Sequence, residues 1–178
     1  AKADATGLIK GLQHTNERVA RLAWHASADR KKENLPGLEK ELRELVINGM
    51  LPETTRVLAF WSMEDLGLLK PDTALLAKLA ADRSAYLRFE VVRSLSNMHL
   101  GEKDFLTVAS NFPMDANYRV RAELANTIRS HRSPTPAIIM LAAQLGQPPL
   151  KGNSRASYDR DFERYLARWA MEKHGSVT

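Results

Sequence analysis

The sequence predicts an all-α protein, built as a right-handed α-α superhelix, or solenoid, of about five helical hairpins. Three observations favour this fold class. Leu and Ala dominate the chain and Gly is limited to 9 of 178 residues, apolar residues recur at helical spacing, and the stretches 82–98 and 115–128 repeat one pattern. Since a single hairpin cannot bury its apolar stripe, the stacked repeats are expected to form the core.

The internal repeat is clearest when Leu87 is aligned with Val120. The other matched pairs are Asp82 with Asp115, Arg88 with Arg121, Val91 with Leu124, and Val92 with Ala125. Each stretch thus opens with Asp, continues with an apolar residue and Arg, and then runs on at helical spacing. This predicts that both stretches are second helices of two-helix units.

The first unit, about 4–30, pairs a short helix over 6–12 with a second helix that begins after Asn16. Asn is a favoured N-cap, and Glu17 suits the first turn of a helix. The charged stretch 29–34 is expected to be a solvated exit from the unit.

The second unit, about 35–69, opens with Pro36 at a first helical position and breaks at Gly49. Its partner helix begins near Pro52 and ends at Gly67. The third unit, about 71–99, restarts at a proline and ends with a second helix over 85–98. The fourth unit, about 102–131, breaks at a proline before a second helix over 115–130.

The fifth unit, about 134–174, contains a loop over 146–157 and a last helix over 159–173. Phe162, Tyr165 and Trp169 share one face of that helix and are expected to pack on the fourth unit. Whichever side of these rings points away would have no partner, so we expect either that the natural chain continues or that this end dimerises. The whole chain, 1–178, is interpreted as one repeat domain excised from a longer protein.

The spacing of the units is irregular. Taking Val19, Val57, Leu87, Val120 and Phe162 as equivalent positions gives separations of 38, 30, 33 and 42 residues. These values indicate hairpins with variable loops, not the fixed period of ankyrin or tetratricopeptide arrays.

The net charge of +5 is unevenly placed. Residues 71–178 carry 15 Lys and Arg against 11 Asp and Glu, and 11 of those 15 cations are Arg. Arg in such numbers suits either a phosphate-binding surface or a ladder of Asp and Arg pairs between stacked repeats. The ladder is favoured, and it is predicted to use Asp82, Arg88, Asp115 and Arg121, with the two acids also capping the second helices.

Several chemistries are excluded by composition and motif. The chain has no Cys, so disulfides, thiolate catalysis and thiolate zinc sites are absent. It has no Gly-x-Ser-x-Gly elbow and no phosphate-binding Gly loop. His99, His131 and His174 recur at equivalent places, where a helix C-terminus favours imidazole and where neighbouring units hold them too far apart for one ion. No cofactor, metal or membrane span is predicted.

These residues resemble the HEAT-repeat family over nearly the whole chain. HEAT units carry an Asp in the inter-helix turn, then an apolar residue and Arg, as do the third and fourth units here. The first, second and fifth units depart from this pattern, with Ala20, Leu58 and Glu163 at the position of Arg.

A more particular resemblance is carried by the segments 56–68, 119–128 and 158–172. They look like the HEAT segment of large bacterial proteins that combine a sugar-dehydrogenase-like β-propeller with a c-type haem domain. This resemblance implies a spacer or docking module, with redox chemistry confined to other domains, and a periplasmic location. Without it, the expected compartment is the cytoplasm.

The predicted function is therefore that of a non-catalytic scaffold that binds a protein partner or flanking domains of the same chain. The candidate binding surface consists of Tyr86, Arg88, Arg93, Tyr118, Arg119, Arg121 and Arg129. The alternative is a nucleic-acid-binding protein, since HEAT-like DNA glycosylases hold DNA with Trp, Asp and Arg on a concave basic surface. Against it, the acids Glu90 and Glu123 are interleaved with the arginines of the candidate surface, and no Trp falls in the third or fourth unit that carries them. Trp24, Trp61 and Trp169 are expected to be core.

Overall fold

The structure, a computed structural model, describes residues 4–31, 33, 35–69, 72–146 and 154–175. All regular secondary structure in these ranges is helical, with ten α-helices and one short 3₁₀ helix. The predicted all-α class is confirmed. No helix in the described ranges combines the length and the apolar character needed to cross a bilayer.

The chain divides into two compact units, one within residues 1–72 and the other within 73–178. The first contains α1 (Ala5–Leu12), α2 (Glu17–Ala28), α3 (Leu38–Ile47) and α4 (Glu53–Leu66). The second contains α5 (Thr73–Ala80), α6 (Ala85–Met98), α7 (Glu102–Ala109), a 3₁₀ helix (Phe112–Met114), α8 (Tyr118–Ser130), α9 (Pro136–Leu145) and α10 (Ser154–Lys173).

In the first unit, α1 pairs with α2 and α3 pairs with α4. The pairs also stack, because α1 contacts α3 and α2 contacts α4. The core between them is formed by Leu8, Leu12, Leu42, Val46 and Phe60, all fully or almost fully buried. Gly67 ends α4 in the left-handed conformation, with φ of 77°, which agrees with its predicted role as a helix terminator.

The second unit repeats this layering. The helices α5, α7 and α9 contact one another in sequence, and α6, α8 and α10 form a second row beside them. The matched residues Leu87 and Val120 are both fully buried, as are Val91 and Leu124. The internal repeat therefore corresponds to equivalent packing in α6 and α8.

The caps of α6 and α8 differ from the prediction. Ser84 caps α6 by accepting a hydrogen bond from the Leu87 N–H at 3.0 Å, and Asn117 caps α8 by accepting one from the Arg119 N–H at 2.9 Å. Asp82 and Asp115 stand two residues earlier, where each accepts from the backbone N–H of the cap residue. The predicted capping role was wrong because an Asx turn precedes each cap.

The packing of α10 also differs from the prediction. Phe162 was aligned with Val120 as a buried anchor, but its ring is exposed, and the fully buried neighbour is Glu163. The face of α10 that packs on the rest of the second compact unit thus runs from Glu163 through Leu166 and Ala170. In the first unit, Val19 is likewise exposed while Ala20 is buried. In both helices the buried position is one residue later than predicted, because the side chains of Val19 and Phe162 do not face the core.

The beginning of α10 lies earlier than expected. The helix starts at residue 154, five residues before the predicted start at Asp159. Most of the predicted loop after Gly146, residues 147–153, lies outside the described residues. The extra turn brings Arg155 into ion-pair distance of Asp159.

Candidate interaction surface

The row of α6, α8 and α10 is joined by two bidentate ion pairs. The first links Arg88 on α6 to Asp115, just before α8, with Nε and Nη2 donating to the two carboxylate oxygens at 2.6 and 2.9 Å. Arg88 also donates from Nη1 to the backbone carbonyl of Asp82 at 2.7 Å. The guanidinium thus binds the turn before α6 through Asp82 and the turn before α8 through Asp115, which connects two successive hairpins.

The second pair links Arg121 on α8 to Glu163 on α10, at 2.8 and 2.6 Å. Arg121 occupies the position equivalent to Arg88, and its Nη1 donates to the backbone carbonyl of Asp115. Arg160 adds a third hydrogen bond to Glu163 at 2.8 Å. The partner of Arg121 was not foreseen, because the sequence presented Glu163 only as a replacement for an expected Arg and as one of the acids near the start of the last helix.

The electrostatics of Asp115 follow from this arrangement. Burial opposes ionisation of the carboxyl group, but hydrogen bonds from Arg88 and from the Asn117 N–H outweigh it and hold the pKa of Asp115 below its ordinary value. The carboxylate therefore stays charged, and the cation of Arg88 is neutralised within the fold. Neither Arg88 nor Arg121 offers an unused guanidinium to an anionic ligand.

The other predicted surface residues, with one exception, lie on a face that we call the α6–α8 face. It is defined by Tyr86, Phe89 and Arg93 on α6 and by Arg119, Glu123, Asn126 and Arg129 on α8. The spacing of three, four or seven residues places each set on one side of its helix. All seven side chains are exposed or half-buried. Tyr118 is the exception, because it points to α10.

The part of this face on α6 mixes aromatic rings and charge. The rings of Tyr86 and Phe89 lie 6.5 Å apart. Arg93 donates to the buried carboxylate of Glu90 at 2.7 Å, so its charge is balanced by an acid of the same helix. This portion of the surface is accordingly more apolar than its Arg content indicates.

Glu123 is the acid of the α6–α8 face and lies close enough to Arg93 to interact with its charge. Burial raises the pKa of the Glu123 carboxyl above its ordinary value, and proximity to Glu90 adds to this, although Asn126, Arg93 and Arg129 act in the opposite direction. The sequence marked Glu123 only as an acid interleaved with the arginines, not as a site residue. Its repeat equivalent, Glu90, gives a further sequence signal, since both helices carry an acid at the same site.

Arg129 lies at the edge of the face and stacks on Trp169 of α10, with its guanidinium carbon 4.3 Å from the ring centroid. Its Nε is buried and makes no hydrogen bond within the described structure. Lys173 donates to the Arg129 backbone carbonyl at 2.8 Å. Trp169 was expected to be core, but it is partly exposed and its ring is stacked against Arg129.

Tyr118 forms a small exposed cluster with Arg119 and α10. Hydrogen bonds from Arg119 and then from Arg155 lower the pKa of the Tyr118 hydroxyl. Asp159 lies beside Arg155 and completes the group. Charges of both signs occur here too, so the α8–α10 junction is not a uniformly basic surface.

The first compact unit has an aromatic cluster of its own. Trp24 donates from Nε1 to the Asp65 carboxylate at 2.8 Å, and its ring lies 4.9 Å from that of Trp61. All three side chains are half-buried. The two tryptophans thus tie α2 to α4, which agrees with a role in packing.

The recurring histidines lie at or beyond helix C-termini. His99 and His131 occupy the C-cap positions of α6 and α8, and His174 follows α10, with Nε2 3.1 Å from the Ile128 carbonyl oxygen. Burial, followed by proximity to His174 and His99, lowers the pKa of His131. In the described ranges, His, Asp and Glu nowhere gather in threes as a metal ion would need.

The chain matches no family model, and no curated protein sequence is significantly similar to it. Membership of the HEAT-repeat family therefore stays a prediction from the motif and the repeat.

Proposed function

We propose that this chain is a non-catalytic interaction module whose α6–α8 face binds a protein partner or a neighbouring domain of the same chain. The observation that carries the proposal is the pairing of Arg88 with Asp115 and of Arg121 with Glu163. Both guanidiniums belong to the Arg-rich surface that the nucleic-acid alternative would use, and both are already paired with carboxylates.

The pairs have a second consequence. Each links a helix to the next hairpin by two parallel hydrogen bonds, which restricts sliding and rotation between neighbours. A surface carried by α6 and α8 is then presented in one geometry, so little conformational entropy is lost when a partner binds.

The chemistry of the α6–α8 face favours protein over nucleic acid. It offers the rings of Tyr86 and Phe89 beside Arg93, whose charge is balanced by Glu90, and it includes the acid Glu123. Protein interfaces are enriched in Tyr, Phe and Arg, whereas a nucleic-acid surface needs several cations without interleaved acids.

The finer architecture is part of the proposal. A right-handed HEAT-like solenoid of about five hairpins is supported by the motif, by the internal repeat and by the two rows of helices within each unit. The weaker resemblance names the neighbours, a β-propeller and a c-type haem domain, and sequencing the complete reading frame would test it.

Site-specific photo-crosslinking tests the binding surface. A benzophenone amino acid replaces Tyr86 in the full-length protein, expressed in the source organism, and Lys103, an exposed residue of α7, serves as the matched control position. We expect one recurrent protein or domain crosslink from position 86 and none from position 103. Equal crosslinking from both positions would count against the proposed surface.

Nucleic-acid binding is measured in parallel by fluorescence anisotropy with duplex and single-stranded DNA. We expect weak binding at about 150 mM salt, because few phosphates can be neutralised. Tight binding with a steep salt dependence would replace the proposal by its nucleic-acid alternative.

A further inference from the structure

The outer side of α10 carries an exposed aromatic stripe. Tyr158, Phe162, Tyr165 and Trp169 are 66%, 47%, 50% and 44% exposed. They are separated by four, three and four residues, which places them on one side of the helix. The buried residues Glu163, Leu166 and Ala170 occupy another side. Trp169 also contacts α8, because Arg129 stacks on its ring, and the ring is still 44% exposed.

A row of charged residues runs beside this stripe. Asp161 and Arg168 stand seven residues apart, which is two helical turns, and Glu172 follows one turn later. The side chains of Asp161, Arg168 and Glu172 are 66%, 68% and 65% exposed. Their ion pairs are long and lie within α10, with Arg164 bonded to Asp161 at 3.9 Å and Arg168 to Glu172 at 3.5 Å. Such exposed pairs exchange readily for better ones.

The order of these residues is self-complementary about Tyr165. Phe162 lies three residues before Tyr165 and Trp169 lies four after it. A two-fold axis at Tyr165 therefore brings Phe162 level with Trp169 of a second copy, within one residue rise of about 1.5 Å. Tyr165 meets its own equivalent at the axis.

The same axis matches the charged row. Asp161 lies four residues before Tyr165 and Arg168 three after it, so Asp161 faces Arg168 of the second copy, and the symmetry makes this contact twice. Tyr158 and Glu172, each seven residues from Tyr165, also come level, and a phenol can donate to a carboxylate. A parallel pair of helices would instead bring like charges together at both Asp161 and Arg168.

We propose that the exposed face of α10 binds a second copy of this chain as an antiparallel helix pair with its two-fold axis at Tyr165. This inference goes beyond the proposed function and uses residues outside the α6–α8 face. The occupant is a second copy because, when two α10 helices run in opposite directions, aromatic residues lie opposite aromatic residues and acids lie opposite arginines.

The test is sedimentation equilibrium of the full chain at concentrations from about 1 to 100 µM. The expected result is a monomer–dimer equilibrium whose Kd rises by about tenfold or more in Trp169→Ala and in Tyr165→Ala, since central aromatic residues dominate interfaces. Lys103→Ala, on α7, is the matched control and leaves the Kd unchanged.

A charge swap tests the antiparallel register. Asp161→Arg alone places two cations against each other and raises the Kd by about tenfold. The double variant Asp161→Arg with Arg168→Asp restores opposite charges across the axis, and the Kd returns to near that of the parent. Both residues are exposed, so circular dichroism confirms that each variant keeps the helical fold.

Three results would overturn the inference. They are a monomer throughout the concentration range, a dimer indifferent to Trp169→Ala and Tyr165→Ala, and a double variant no better than Asp161→Arg alone. Tyr165→Ala and the charge variants replace residues outside the α6–α8 face, so with them crosslinking from position 86 and self-association succeed or fail independently. Trp169→Ala also removes the ring on which Arg129 stacks and is read only for self-association.

Discussion

Arg121 on α8 holds the fully buried carboxylate of Glu163 on α10 through two hydrogen bonds of 2.8 and 2.6 Å. An ionised carboxylate without a partner at that depth would be strongly unfavourable, so the pair is a condition for α10 to pack where it does. Arg160 supports the same carboxylate from within α10. This ion pair explains why a polar residue, Glu163, occupies the buried position at which α10 packs on α8.

Removing the cation tests this dependence. Arg121→Met keeps much of the side-chain volume but leaves the buried carboxylate with Arg160 alone, and we expect a loss of about 3 kcal/mol in stability. Hydrogen exchange of the α10 amides reports the change without requiring the two compact units to unfold together.

The matched control is Arg164→Met. Arg164 is exposed and lies 3.9 Å from the exposed Asp161, so its replacement should alter the exchange of α10 by no more than about 0.5 kcal/mol. Similar losses in both variants would mean that burial of Glu163 does not depend on Arg121.

The cap of α6 gives a second prediction. Ser84→Ala removes the acceptor for the Leu87 N–H, and we expect α6 to lose about 1 kcal/mol of stability. Ser130→Ala, at the exposed last residue of α8, serves as control and should stay within about 0.5 kcal/mol. Unchanged hydrogen exchange at the start of α6 in Ser84→Ala would show that another group caps the helix.

A third prediction concerns the close approach of α1 to α2. A Cβ atom added at Gly11 would lie 2.6 Å from the Cβ of Ala23, and neither atom can rotate away. Gly11→Ala should therefore destabilise the first unit by about 1 to 3 kcal/mol, although Ala is the better helix former. Urea unfolding followed by tryptophan fluorescence measures the change, in a Trp169→Phe background that leaves Trp24 and Trp61 of the first unit as the emitting residues.

Lys10→Ala is the control for Gly11→Ala, because it introduces the same residue one position away on the exposed side of α1. Its effect should lie within about 0.5 kcal/mol. If Gly11→Ala is as stable as Lys10→Ala, α1 can move away from α2 without loss of folding free energy. The close approach then does not require glycine at position 11.

The fourth prediction concerns pH. Because the pKa of His131 is lowered in the folded protein, the stability it contributes is present above its ordinary pKa of about 6.5 and is lost as the pH falls through the lowered value. His131→Gln should therefore show a smaller loss of α8 hydrogen-exchange protection between about pH 7 and pH 5 than the parent.

The control for this measurement is His14→Gln, which changes an exposed imidazole of the other compact unit. The pH dependence of α8 should be the same in this variant as in the parent. An unaltered pH dependence in His131→Gln would assign the acid sensitivity to other groups.

The helices themselves could be predicted from local signals. Asn16 caps α2 by accepting from the Arg18 N–H, and Gly67 ends α4, both as expected. These features depend on a few neighbouring residues, and each residue type has a strong preference for its position. The start of α10 at residue 154 was missed because Gly, Pro and Ser before it favoured a loop.

The candidate surface could be predicted only in part. Arg93, Arg119 and Tyr86 lie on the α6–α8 face, but Arg88 and Arg121 are bound to acids, one of which, Glu163, lies 42 residues further along the chain than its partner. The sequence offered no reason to select Glu163, since a buried acid is stable only when the fold brings cations to it.

The sequence by itself determined the all-helical class, the equivalence of Leu87 with Val120 and many helix boundaries, because these follow from periodicity and local backbone preference. Only the tertiary structure decided that Glu163 turns inward while Phe162 and Trp169 turn outward. Helical spacing allows either side of α10 to face its neighbours, and the two hydrogen bonds from Arg121 select the side that carries the acid.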